Sequence, residues 1–156
     1  MIAGSLLLAQ PALAQNAHNA GALHGSTISD DQAQITALLK NEFERDDLRL
    51  IVEPVIVEDD WAVAGWIQQN RGGRGLLKKT AHGWTVHMCS GAPFKHARNL
   101  AQTGMGEATA AAIADKLATA EAALGAERIA LMDSFEGTIE IQSGSQHGHH
   151  PQSAPK

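Results

Sequence analysis

Apolar side chains follow two rhythms along the chain. Ile35, Leu38, Leu39 and Phe43 recur at three- and four-residue spacing, which lines one face of a helix. Ser29, followed by Asp30 and Asp31, supplies an N-cap and a negatively charged first turn, and the charged run over residues 42–47 closes the helix.

From residue 48 the rhythm shortens. Residues 48–57 are rich in Leu, Ile and Val, and Pro54, which has no amide hydrogen, marks an edge or a bend. Glu58, Asp59 and Asp60 make a turn. Residues 61–68 alternate, with Trp61, Val63 and Ile67 on one side and Trp66 on the other. The run Asn70-Arg71-Gly72-Gly73 reads as a hairpin turn, residues 75–80 as a strand and Ala81-His82-Gly83 as another turn. Residues 84–90 alternate again: Trp84, Val86 and Met88 fall on one face, Thr85, His87 and Cys89 on the other. Short strands joined by tight turns predict a four-stranded antiparallel meander.

The longer rhythm then returns. Ile113, Leu117, Ala120 and Leu124 form a narrow stripe in an Ala-rich helix over residues 107–124. Gly125 interrupts it, Ile129, Met132 and Phe135 continue it, and residues 138–142 read as a last short strand. His96 and Met105 fall in a loop ahead of these helices. The fold class is α+β: an N-terminal helix, the meander, and C-terminal helices packed on one face of a curved sheet. A cystatin-like or NTF2-like arrangement has this order, by analogy.

The two ends read differently. Residues 1–14 join an uncharged apolar run, Pro11 and the small-residue triplet Ala12-Leu13-Ala14, which is the pattern of a signal peptide. The run is too short to cross a membrane, which takes about 20 apolar residues. This predicts export to the periplasm, with no embedding in the membrane. Residues 15–28 read as a flexible leader, residues 29–142 as one α+β domain, and residues 143–156 as a disordered His-rich tail.

Charge and composition narrow the function. With 12 Lys and Arg against 17 Asp and Glu, the 156-residue chain carries −5 and has no basic excess for nucleic acid. One cysteine excludes an internal disulfide framework and multi-cysteine metal sites. Of eight histidines, His18, His24, His147, His149 and His150 lie in the ends, which leaves His82, His87 and His96 to the domain.

Three imidazoles in the tail, His147, His149 and His150, can chelate copper, nickel or zinc on a flexible backbone. His18 adds a variant: cleavage after Gln15 rather than Ala14 would place it third in the chain, where a free amine, two amides and the imidazole suit Cu(II). His87, Met88 and Cys89 form a second candidate, since thioether and thiolate suit Cu(I). Alternation lets His87 and Cys89 share a face and sends Met88 to the core; equally, Cys89 is a small residue of a type commonly buried. The tryptophans read as core anchors. No G-x-S-x-G, P-loop, H-E-x-x-H or dinucleotide fingerprint is present, and Cys89 with His87 lacks an orienting third group, so no enzyme is expected.

The segments DWAVAGW, GGRGLLKK, GWTVHMCSG and AERIALMDSFEGTIEI, spread over about residues 30–142, resemble the periplasmic copper uptake system-associated proteins of proteobacteria. The resemblance implies copper acquisition or handling beside a periplasmic copper chaperone or an outer-membrane receptor. Two functions are therefore expected in competition. The first is an exported protein that captures or passes copper through His147, His149 and His150, with His87, Met88 and Cys89 as further ligands. The second is a metal-free interaction module of a periplasmic transport system.

Overall fold

The computed structural model describes residues 17–141, with side chains from Thr27 onward. Helix α1 (Ala17–Phe43) begins well ahead of Ser29, which therefore lies inside the helix and does not cap it. No proline interrupts residues 17–28, so once the later turns are anchored the helix propagates back through them at little further cost. The anchor is Ile35 and Leu39, both buried. Asp31 is buried too, and it ties the helix to the sheet. It accepts a hydrogen bond from the Trp84 indole Nε1 at 2.9 Å and pairs with Lys79 Nζ at 2.8 Å.

The sheet has strands β1 (Ile51–Glu58), β2 (Trp61–Gln68), β3 (Arg71–Thr80), β4 (Gly83–Ser90) and β5 (Thr138–Glu140). They stand in chain order, each antiparallel to its neighbour. The meander is as the alternation predicts, and the short C-terminal strand extends it to five. Pro54 lies in edge strand β1, where the register shifts between Val52 and Val55.

A 3₁₀ turn (Ala92–Lys95) and helix α2 (Ala97–Ala101) occupy the stretch expected to be loop; His96 caps α2, and Met105, in the link that follows, is buried. Helices α3 (Glu107–Glu121) and α4 (Ala126–Asp133) complete the chain before β5.

The β2–β3 turn is Gln69-Asn70, one step earlier than the glycines suggest, with Gln69 at φ +57°. Gly72 and Gly73 belong to β3 because other groups need their space. A Cβ at Gly73 would lie 2.8 Å from the Trp66 ring, and one at Gly72 would lie 3.0 Å from the backbone of Leu131 in α4. These glycines allow close approach and do not turn the chain.

Helices cover both faces of the sheet. Ile35 and Leu39 of α1 pack with Ala62, Leu77, Trp84, Val86 and Cys89. Leu100, Ala110, Ile113 and Leu117 of α2 and α3 pack with Trp61, Val63 and Leu76 on the opposite face. The C-terminal helices thus hold one face, as expected, while α1 closes the face that the sequence pattern left bare. The β2 run of Trp61, Ala62, Val63 and Ala64 is fully apolar, as a strand covered on both sides must be.

A buried charge cluster locks the second face. Arg74, fully buried in β3, donates to Glu121 of α3 through Nε at 2.7 Å and Nη2 at 2.9 Å. Its Nη1 lies 2.8 Å from Asp133 Oδ1, an ion pair without hydrogen-bond alignment, and Lys95 reaches the other Asp133 oxygen at 3.1 Å. Burial raises the Asp133 carboxyl, but Lys95 and Arg74 outweigh this and hold it below its ordinary 3.8. Two acids against two bases leave no net buried charge, the condition on which such a cluster is tolerated.

Candidate binding site

The strand expected to carry metal chemistry contains an irregularity. Leu76 pairs with Met88 but Leu77 pairs with Val86, so His87 is an extra residue opposite consecutive positions of β3. Such a bulge slips the alternation by one. Met88 therefore joins His87 on the α2–α3 side, where Met88 packs at the edge of that core and the His87 ring lies 5.9 Å from Trp61, edge to face. Cys89 turns to the α1 side among Trp84, Val86 and Leu77.

The expected His87–Cys89 pair is thus corrected: the sheet separates them, and one ion cannot reach both side chains without remaking the strand. The same separation removes His87 as a base for a Cys89 nucleophile. Burial, with a smaller push from the Glu42 charge, raises the Cys89 thiol to about 11, so it stays protonated near neutral pH. His82 and His96 are exposed, the first in the β3–β4 turn and the second at the cap of α2. Among the described residues, no three His, Cys, Asp or Glu side chains gather into a metal-holding group. The tail candidates His147, His149 and His150 and the signal-peptide segment lie outside the described residues, and His18 falls in the first turn of α1.

Cys89 instead forms part of an apolar pocket of about 180 Å³. Leu39 and Phe43 supply one wall from the end of α1, and Leu50, just ahead of β1, and Trp66 of β2 supply another. Phe135, Ile139 and Ile141, from the chain after α4, form the third. Trp66 and Phe135 meet edge to face at 5.8 Å and 80°, which fixes the corner between sheet and C-terminal segment. Gln68 ties the rim, donating through Nε2 to the carbonyls of Phe43 and Leu48, both at 3.0 Å. The Leu50 amide donates to Glu44 at 2.8 Å, so the link between α1 and β1 is held as well.

Three large hydrophobic side chains are exposed among the described residues, and two of them, Phe43 and Ile139, stand at this pocket. Nothing local in the sequence points to the pocket. Its walls come from residues 39–68, 89 and 135–141, and none carries a local signal that it meets the others. Leu39, Phe43 and Phe135 stand out in the sequence only as helical-stripe residues, Trp66 as a core anchor and Cys89 as a candidate ligand. Chemically the pocket suits an aliphatic or aromatic group; the protonated thiol adds little polarity.

Among the described residues, no helix is long and apolar enough to cross a membrane. Comparison with protein-family models, with characterised protein sequences and with solved structures finds no match in any of the three.

Proposed function

We propose that this chain is an exported, non-enzymatic binding module of copper handling in the periplasm, built of two separate parts. The folded domain docks a protein partner through the apolar pocket, and the tail imidazoles His147, His149 and His150 take the metal. The observation that carries the docking half is the pocket itself, open to solvent, with Phe43 and Ile139 exposed at its mouth. Monomeric proteins seldom leave such residues together without use. The copper half rests on the ligand chemistry of three closely spaced imidazoles and on the sequence resemblance described above. A copper chaperone or an outer-membrane receptor is the partner that this resemblance suggests.

The two parts come apart in one titration series. In calorimetry the full chain takes up Cu(II), and a chain ending at Gln142 loses that binding while keeping the same circular dichroism spectrum. Equal uptake by both would overturn the tail's role. Cu(I) binding by Cys89→Ser matches the parent, because the thiol lies in the apolar pocket and apart from His87. A clear drop in affinity would return Cys89 to the ligand set.

A further inference from the structure

We infer that the pocket and the free edge of β5 form one receptor for an extended segment of another protein, which adds as a sixth strand and seats an aliphatic side chain between Phe43 and Ile139, with basic residues flanking it. This rests on the docking reading above and specifies its partner. The edge is open. The Ile141 amide bonds the His87 carbonyl at 3.0 Å and Ile139 pairs with Cys89, so by antiparallel alternation the amides and carbonyls of Thr138 and Glu140 face away from β4. β5 is the last strand in the sheet order, so among the described residues no strand pairs with its outer edge. The opposite edge, β1, is blunted by Pro54 and a register shift, which discourage strand addition there. Ile139 shares the α1 side with its partner Cys89, so a strand added beside it brings every second side chain over the pocket.

Charge selects the occupant. Glu42, Glu136 and Glu140 are exposed next to pocket residues in sequence, and none of the three has an ion-pair partner among the described residues. The push of Glu42 on the Cys89 thiol places its charge within reach of the pocket. Arg45 and Arg49 in the α1–β1 link are matched in number by Asp46 and Asp47, Lys40 pairs with Glu44, and Arg71, opposite the pocket residue Gln68, offsets one of the three glutamates, so an acidic excess remains. A second copy, itself carrying −5, would bring two Glu140 side chains together across the new ladder. A basic, apolar strand meets complementary charge.

The probe is a fluorescein-labelled synthetic heptapeptide with lysines at both ends and isoleucines at alternate positions inside, followed by anisotropy on the full chain. The expected result is saturable binding, at least tenfold weaker with glutamate ends, with N-methylated inner amides, or with Ile139→Asp. Because Ile139 is 48 % exposed, its substitution leaves the fold intact, which circular dichroism checks. Equal binding of lysine- and glutamate-ended peptides, or of the N-methylated one, overturns the inference. So does dimerisation of the chain in sedimentation that Ile139→Asp abolishes, which assigns the edge to a second copy. If no peptide binds but anilinonaphthalene sulfonate still fluoresces in the pocket and is lost in Phe43→Ser, the strand inference fails while docking stands. If neither binds, both fail.

Discussion

Arg74 and its partners decide more at the level of single residues than any histidine of the domain. Truncating Arg74 leaves Glu121 buried and unpaired, so Arg74→Ala should cost about 3–5 kcal/mol in urea unfolding. Arg74→Met with Glu121→Leu should recover most of that loss, because the removed desolvation penalty offsets the lost attraction. A double variant as unstable as Arg74→Ala would show that the cluster stabilises in its own right.

Cys89 gives a second test at this scale. Its thiol is raised in the folded state, from 9.0 to about 11, so the stability it contributes is complete below pH 9 and is lost as pH rises from 9 through 11. Unfolding midpoints should fall across that window and fall less in Cys89→Ala. At the acid end, Asp31 and Asp133 are both held low. Burial raises each, while Lys79 and Trp84, and Lys95 and Arg74, outweigh it. Their contribution is present above the ordinary 3.8 and disappears as pH falls through the lower folded values, so thermal melts should drop steeply below about pH 4.

Among the elements, β3 and β4 each depart from their simple pattern. Gly72 and Gly73 looked like a turn and are strand, since Trp66 and α4 occupy the space their side chains would fill. Gly73→Ala therefore drives a methyl into the Trp66 ring and should cost about 1–3 kcal/mol, read in the same urea experiment. An unchanged midpoint would mean that Trp66 gives way freely. In β4, the helix and strand periodicities of the sequence placed Trp84, Val86 and Thr85 on their observed faces. They failed at Met88 and Cys89 because a bulge arises between two strands and leaves no mark on either alone. The α1 boundary moved for a similar reason. Asp31 is a credible first-turn residue, but burial against Trp84 and Lys79 makes it a tether within a longer helix.

Taken as a whole, the molecule is a sheet clothed on both faces, with its last strand laid down by the end of the chain. That strand and Ile141 wall the pocket beside Cys89. A chain ending at Gly137 should therefore expose the thiol and speed its modification by a neutral maleimide at least tenfold over the full chain. An unchanged rate would mean that α1 alone shields it.

Helices α1, α3 and α4, the antiparallel meander, the α+β class and the core roles of the tryptophans are legible in the sequence, whereas α2 is not. These depend on side-chain period and on turn residues, which are local. Four features appear only once the chain is folded: helices cover both faces, Arg74, Glu121 and Asp133 meet, His87 and Cys89 part company, and distant apolar residues enclose a pocket. Each of these depends on which surfaces meet, and contact between residues far apart in the chain is written in neither of them singly.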